Sequence, residues 1–256
     1  MGCSGCSSAR GCGTSAKGCK SKTGSCNKLN VFDWLSNVSY PENYKPFDVI
    51  EIRFKGSRKS YFRNVENLEL FTGDMVVVES DMGHDVGQVS LSGDLVRLQL
   101  KKRGLKDNDT RIKKIYRKAS VGDLEKYEQA KSKEITTLER ARVISIELKL
   151  AMKISDIEFQ GDSKKVTFFY TAENRVDFRD LIKRYASEFN ARIEMKQVGY
   201  RQEAARLGAI GSCGRELCCS TWLTDFKQVS ISAARSQNLS INMAKLSGQC
   251  GKLKCC

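Results

Sequence analysis

The chain contains one histidine, two prolines and no long apolar run among its 256 residues. A single His84 excludes most zinc enzymes, which depend on imidazole ligands, and any nucleophile–histidine pair would have to use it. His84 lies between Gly83 and Asp85 in what reads as a loop, with no Cys or Ser partner nearby, which makes it structural or exposed. The scarcity of proline excludes collagen-like and Pro-rich linker classes. No stretch reaches the roughly 18 apolar residues of a membrane-spanning helix. The amino terminus lacks the apolar core of a secretory signal, so export by that route is not expected. No phosphate loop, dinucleotide fingerprint or readable acid pair is present.

Two features are abundant. Lys and Arg number 44 against 30 Asp and Glu, a formal net charge of +14, and there are 11 cysteines. A strongly basic chain points to a polyanionic partner, most often nucleic acid or its processing machinery. Many thiols without an export signal point to a reducing compartment, where thiols bind metal or do redox work.

Composition divides the chain into five parts. Residues 1–30 hold Cys3, Cys6, Cys12, Cys19 and Cys26, five basic residues and no acid; with almost nothing to bury, they read as a disordered tail. Residues 31–46, with Pro41 and Pro46, read as a linker. Residues 47–118 read as a small antiparallel β domain, with strands near 49–54, 60–62, 75–79, 86–89 and 95–100 separated by glycines. Residues 119–200 read as an α+β unit. A helix starts near Ser120, where Asp123 suggests a capping box, and carries Leu124, Tyr127, Ile135 and Leu138 on one stripe. A hairpin follows over 154–170, then a helix with Asn174 as its N-cap and Phe178, Leu181, Ile182, Tyr185, Ala186 and Phe189 on one face, and a last strand over 193–198. Residues 201–256 form a Cys-rich, metal-binding region. The expected fold class is therefore α+β: a small β domain, a β-β-α-β layer and a Cys-rich end.

The strongest signal is an internal repeat. Cys213-Gly214-Arg215-Glu216-Leu217-Cys218-Cys219 recurs 37 residues later as Cys250-Gly251-Lys252-Leu253-Lys254-Cys255-Cys256. A soft metal centre needs thiolates converging from separate turns, and glycine beside the first Cys of each copy permits a tight turn. Structural zinc prefers closer Cys pairs, often with His, whereas iron–sulfur clusters take four Cys at longer, irregular spacings. An iron–sulfur centre is the first reading, zinc the second, and buried free thiols the third. The candidate ligands are Cys213, Cys218, Cys219, Cys250, Cys255 and Cys256, with Arg215, Lys252 and Lys254 placed to offset cluster charge.

Residues 101–118 carry nine cations against two acids, net +7. The candidate nucleic-acid or partner contacts are Lys101, Lys102, Arg103, Arg111, Lys113, Lys114, Arg117 and Lys118. Upstream, Arg53, Lys55, Arg58, Lys59 and Arg63 interleave with Phe54, Tyr61 and Phe62, the pairing of charge and rings that single-stranded nucleic acid uses. A solvated face is the competing explanation.

Thr171-Ala172-Glu173-Asn174-Arg175-Val176-Asp177-Phe178, Gly208-Ala209-Ile210-Gly211-Ser212-Cys213-Gly214-Arg215, Gln237-Asn238-Leu239-Ser240 and Ser247-Gly248-Gln249-Cys250-Gly251 resemble the YaaT/RicT family, stage-zero sporulation proteins with a PSP-type C-terminal domain. Gly73-Asp74 and residues 76–79 resemble that family's amino-terminal strands. The resemblance covers roughly residues 47–256. It implies a cytoplasmic, non-catalytic regulator that joins YlbF- and YmcA-type small helical partners in a complex binding [4Fe–4S] clusters. That complex acts with the endoribonuclease RNase Y in mRNA processing, and so on sporulation, competence and biofilm formation. The resemblance places cluster ligation on the six cysteines of the repeat. The Cys-rich tail lies outside the shared core, and the chain stops at Cys256 where family members continue, so a truncated chain is expected. The competing functions are a zinc-stabilised nucleic-acid-binding protein and an enzyme using the cluster or vicinal thiols for redox chemistry.

Overall fold

The computed structural model describes Leu35, residues 47–107 and residues 109–255. The tail cysteines, the rest of the linker and Cys256 lie outside these residues.

Five strands close into a barrel in the order β1 (Val49–Arg53), β2 (Lys59–Arg63), β5 (Lys113–Lys118), β3 (Met75–Glu79), β4 (His84–Leu91), with β4 returning to β1. All pairings are antiparallel except β2 with β5, which is parallel. Alternation sends Ile50, Ile52, Phe54, Phe62, Val76, Val78, Val89 and Ile115 into the interior, as a half-buried pleat requires. The outer face of β1 is buried too, because α1 (Asp94–Lys102) covers that side with Leu95, Val96 and Leu100 around Val49, Tyr61 and Leu91.

Helix α1 replaces the strand expected over 95–100. Val96, Leu98 and Leu100 alternate, but Leu98 is 60% exposed while Leu95, Val96 and Leu100 are buried, a helical face. The closing strand β5 was hidden in the basic segment, where only Ile115 is buried. His84 opens β4 rather than lying in a loop.

Helix α2 (Val121–Glu147) starts at the expected cap. Ser120 and Asp123 form a reciprocal capping box, Ser120 N–H donating to Asp123 Oδ2 at 2.9 Å, and Arg117 donates to Asp123 Oδ1 at 3.1 Å. Ser120→Ala is therefore expected to cost about 1 kcal/mol in denaturant unfolding. Arg117, and then Ser120, hold the Asp123 carboxyl far below the usual carboxylate range. A depressed folded pKa stabilises above the unfolded value, and that stabilisation disappears as the pH falls through the acid range below about 4. The Ser120→Ala deficit should accordingly persist down to about pH 3 and shrink only below about pH 2. Of the expected stripe of α2, Leu124, Tyr127 and Leu138 are half-buried on its inner side, and one residue departs. Ile135 is 68% exposed, whereas Glu134 is buried and pairs with Lys55 of the barrel at 2.8 Å.

The second unit is a three-stranded sheet, β6 (Lys153–Phe159), β7 (Lys165–Thr171) and β8 (Arg192–Gln197), in that order, with β7 and β8 parallel through α3 (Arg179–Phe189). One face is apolar: Ile154, Ile157, Val166 and Phe168 pack beneath Ala141 and Ile144 of α2 and Leu181 and Tyr185 of α3. Phe178, not Asn174, precedes the first turn of α3. The opposite face carries Asp156, Glu158, Thr167, Phe169, Glu194 and Lys196 and turns toward the barrel and α4 (Tyr200–Leu207). Three short helices, α5 (Cys218–Thr221), α6 (Ile231–Ser236) and α7 (Met243–Leu246), complete the described chain. Among the described residues no helix is long and apolar enough to cross a membrane.

Candidate functional site

The repeated cysteine sequence is repeated in geometry. In the first copy Gly211 N–H donates to Arg215 O at 2.7 Å, Gly214 N–H to Gly211 O at 3.0 Å and Leu217 N–H to Ala209 O at 3.0 Å. In the second, each partner displaced by 37 positions, Gly248 donates to Lys252 O at 2.8 Å, Gly251 to Gly248 O at 3.0 Å and Lys254 to Leu246 O at 2.9 Å. A lone antiparallel bridge closes each turn, Ile210 with Glu216 and Ser247 with Leu253. Gly214 and Gly251 sit at φ of 78° and 71°, a left-handed conformation that disfavours other residues. Each copy is thus a small knuckle that presents its first cysteine at the tip.

The two knuckles approach one another. Burial pushes the Cys219 thiol up, and the neighbouring Cys255, Cys250 and Cys218 push it further. Cys255 is raised by burial, then drawn back by Arg201, with Cys250 and Cys218 again opposing. Four thiols from both copies thus lie near enough to influence one another, Cys219 buried, Cys218 and Cys250 half-buried and Cys255 at the exposed edge; Cys213 is also exposed, and Cys256 lies outside the described residues. No group of three or more Cys, His, Asp or Glu side chains among the described residues is close enough to hold a metal ion. The site supplies an all-sulfur donor set and adjacent positive charge rather than a preformed cage.

Helix α4 connects this region to the rest of the molecule, and composition alone gave no sign of it. Arg201 donates to Leu253 O of the second knuckle and to Lys227 O, both at 3.0 Å. Buried Glu203 accepts from Ser155 Oγ at 2.8 Å. Arg206 reaches Asp156 at 2.8 Å and Glu158 at 2.9 Å, its guanidinium 3.7 Å above the Phe169 ring. The same two carboxylates bind the barrel, Asp156 through Lys55 at 2.8 Å and Glu158 through Arg58 at 2.8 Å. Arg58 also meets Asp85 at 3.2 Å. Burial pushes the Asp85 and Glu134 carboxyls up, against Arg58 and Lys55. Barrel, sheet and α4 are thus joined by one shared ionic seam.

A cleft of about 400 Å³ opens along that seam. Of the eight candidate contacts, Arg103, Arg111 and Lys113 line it, while Lys101, Lys102, Lys114, Arg117 and Lys118 do not. Several of the cations have local explanations: Arg111 pairs with Asp109, Lys113 with Asp81, Arg117 with Asp123 and Lys118 with Asp74. Lys101 and Lys102 end α1, where the helix dipole favours positive charge. The rings offered for base stacking are not available, since Phe54, Tyr61 and Phe62 are buried, as is Arg53.

Comparison with known proteins decides the family. The PSP1 C-terminal conserved region matches residues 113–198, and the PSP1-like protein third domain matches residues 228–256. Stage 0 sporulation protein YaaT of Bacillus subtilis is 41% identical over 202 residues, covering 79% of this chain and 71% of that protein. The chain belongs to the YaaT/RicT family. Outside bacteria, an uncharacterized Schizosaccharomyces pombe protein is 29% identical over 182 residues, 62% of this chain and 24% of its own length. Protein PSP1 of Saccharomyces cerevisiae is 53% identical over 45 residues, 18% of this chain and 5% of its own. No solved structure matches at comparable significance. For this YaaT/RicT-family chain, the conserved region runs from β5 to just past β8, and the third-domain match contains the second knuckle.

Proposed function

We propose that this chain is a non-catalytic regulatory adaptor of the sporulation type, whose paired knuckles hold a metal centre in a cytoplasmic assembly. The carrying observation is the duplicated knuckle, which brings thiols of both copies into one neighbourhood. An all-thiol set with Arg201 close by suits a [4Fe–4S] cluster, because the cationic neighbour offsets the negative charge of a thiolate-bound centre. Cys218, Cys219, Cys250 and Cys255 would hold it, with Cys213 and Cys256 completing the candidate set. Bound there, the cluster would contribute structural cross-linking and sensitivity to oxidants. Zinc is the second reading, favoured by the same sulfur donors. By family resemblance the partners are YlbF- and YmcA-type helical proteins and an RNase Y-type endoribonuclease, and the process served is mRNA processing. Support for the regulatory reading comes from the name of the Bacillus subtilis relative, a stage 0 sporulation protein.

Anaerobic purification tests the centre. Brown protein absorbing near about 400 nm, with about four iron atoms per chain, is the expected result; colourless protein with zinc selects the second reading. Cys219→Ser and Cys250→Ser should each lose most of the bound metal. Full metal retention by either would mean that the knuckles do not share a centre.

A further inference from the structure

We infer that the cleft between the barrel and the polar face of the sheet binds a single RNA strand through its phosphates. Around its mouth stand Arg103 and Lys113 of the barrel unit and Lys165 and Lys196 of the sheet, with Arg111 alongside. Two of these have no ion pair of their own among the described residues. The Arg103 guanidinium donates to the Lys59 carbonyl at 3.3 Å and lies over the Tyr61 ring. Lys196 stands near Glu194, whose carboxylate is already held by Lys165 at 2.7 Å. The remaining mouth cations sit in exposed or half-exposed pairs, which contribute little and can be given up to a phosphate. Deeper in the cleft there is no excess of positive charge, because Arg58 lies between two carboxylates, Asp85 and Glu158. Against the five mouth cations the lining sets Glu79, Asp81 and Glu194, so what excess of positive charge there is lies at the rim and not below.

That distribution suits a strand lying across the mouth, not a base or small anion inserted into the depth. Of the rings lining the cleft, Phe54, Tyr61, Phe62 and Phe169 are buried in packing and Phe159 is half-buried against the core of the sheet, so they offer no open stacking platform. Contacts confined to phosphate and sugar position a strand without reading its sequence. The cleft is thus a sequence-independent site shared between the two units, and it closes only while the ionic seam holds them together. The choice of RNA over another polyanion rests on the proposed role in mRNA processing; the phosphate chemistry does not.

The test is anisotropy of a labelled twelve-nucleotide oligouridine with the full chain, titrated across several KCl concentrations. The Arg103→Ser/Lys196→Ser double variant should bind about tenfold more weakly at low salt. Its salt slope should be flatter by about 1.4, at ~0.7 per phosphate contact on a single strand. Lys101→Ser/Lys102→Ser, which removes equal charge outside the cleft, should change both quantities far less. An oligodeoxyuridine of the same length should bind within a few-fold, because the backbone is what is held. Equal losses in the two double variants would reduce the effect to overall charge and overturn the site. Displacement of the RNA by oligoglutamate at equal charge concentration would overturn it in favour of an acidic protein partner. Metal content, measured on the same preparations, should not move in either variant; a loss of metal in the wild-type chain would instead count against the knuckle reading and leave the cleft result standing.

Discussion

Arg206→Ala should lower stability by about 3 kcal/mol, the low end of what breaking a buried ion pair costs. The guanidinium is 10% exposed and serves Asp156 and Glu158 together, so its removal leaves both carboxylates with a single cation each, Lys55 or Arg58. For a chain of this size that corresponds to a midpoint about 6–10 °C lower in thermal unfolding. The shape of the transition is the more telling readout. Barrel and sheet have separate apolar cores and meet through the ionic seam, the first half of α2, and the turn after β6, where Gln160 donates to Met82 O and His84 O and Gly161 N–H to Asp85. The wild type should unfold in one step, and the variant in two. Arg206→Lys keeps the charge but not the two-pronged geometry and should fall between them. A single transition displaced by less than about 1 kcal/mol would show that Arg206 does not hold the units together.

Phe168→Ala should cost about 4 kcal/mol, as expected for emptying a fully buried aromatic site. Phe168 is 0% exposed and stacks on Tyr185 at 4.7 Å, with Phe189 at 5.9 Å. Tyr185 cannot fall into the space, because its hydroxyl donates to Ala141 O at 2.7 Å and fixes the ring against α2. In the Arg206→Ala background the loss should move only the transition belonging to the sheet, followed by hydrogen exchange of β7 amides, and leave that of the barrel in place. Movement of both would mean that α2 and the Gln160–Gly161 turn suffice to couple them.

What the sequence disclosed follows from where local and global forces agree. Strands β1 to β4 were legible because β-branched runs alternate and end at glycines. The α2 cap was legible because Ser120 and Asp123 interact within one turn. Alternation misled at residues 95–100, where Leu98 faces solvent from a helix. Strand β5 was illegible because its charges obscure a single inward residue, Ile115. The cysteine repeat announced the knuckles directly, since a backbone turn of that shape needs glycine next to cysteine. The seam could not be read in advance. Its members, Lys55, Arg58, Asp85, Glu134, Asp156, Glu158 and Arg206, are scattered over 150 residues and look individually like surface charge. The nearest sequence sign was the alternation of Asp156 and Glu158 between Ile157 and its neighbours, which places two acids on a face that a small sheet would otherwise leave in water.

The parallel pairing of β2 with β5 has a consequence for how the molecule is made. Antiparallel neighbours can be joined by a hairpin, but parallel ones need a crossover, here the segment containing β3, β4 and α1. The barrel cannot close until residues 113–118 arrive, some fifty residues after β2 has been synthesised. Until then β2 and β3 each present an unpaired edge to the surroundings. The conserved region begins at residue 113, which is the first residue of that closing strand. A cut made at the family boundary would therefore take the keystone out of one unit and attach it, without a neighbour, to the other. A fragment starting at 113 should aggregate through its stray strand, whereas one starting at residue 119, just before the α2 cap, carries no orphan edge from the barrel.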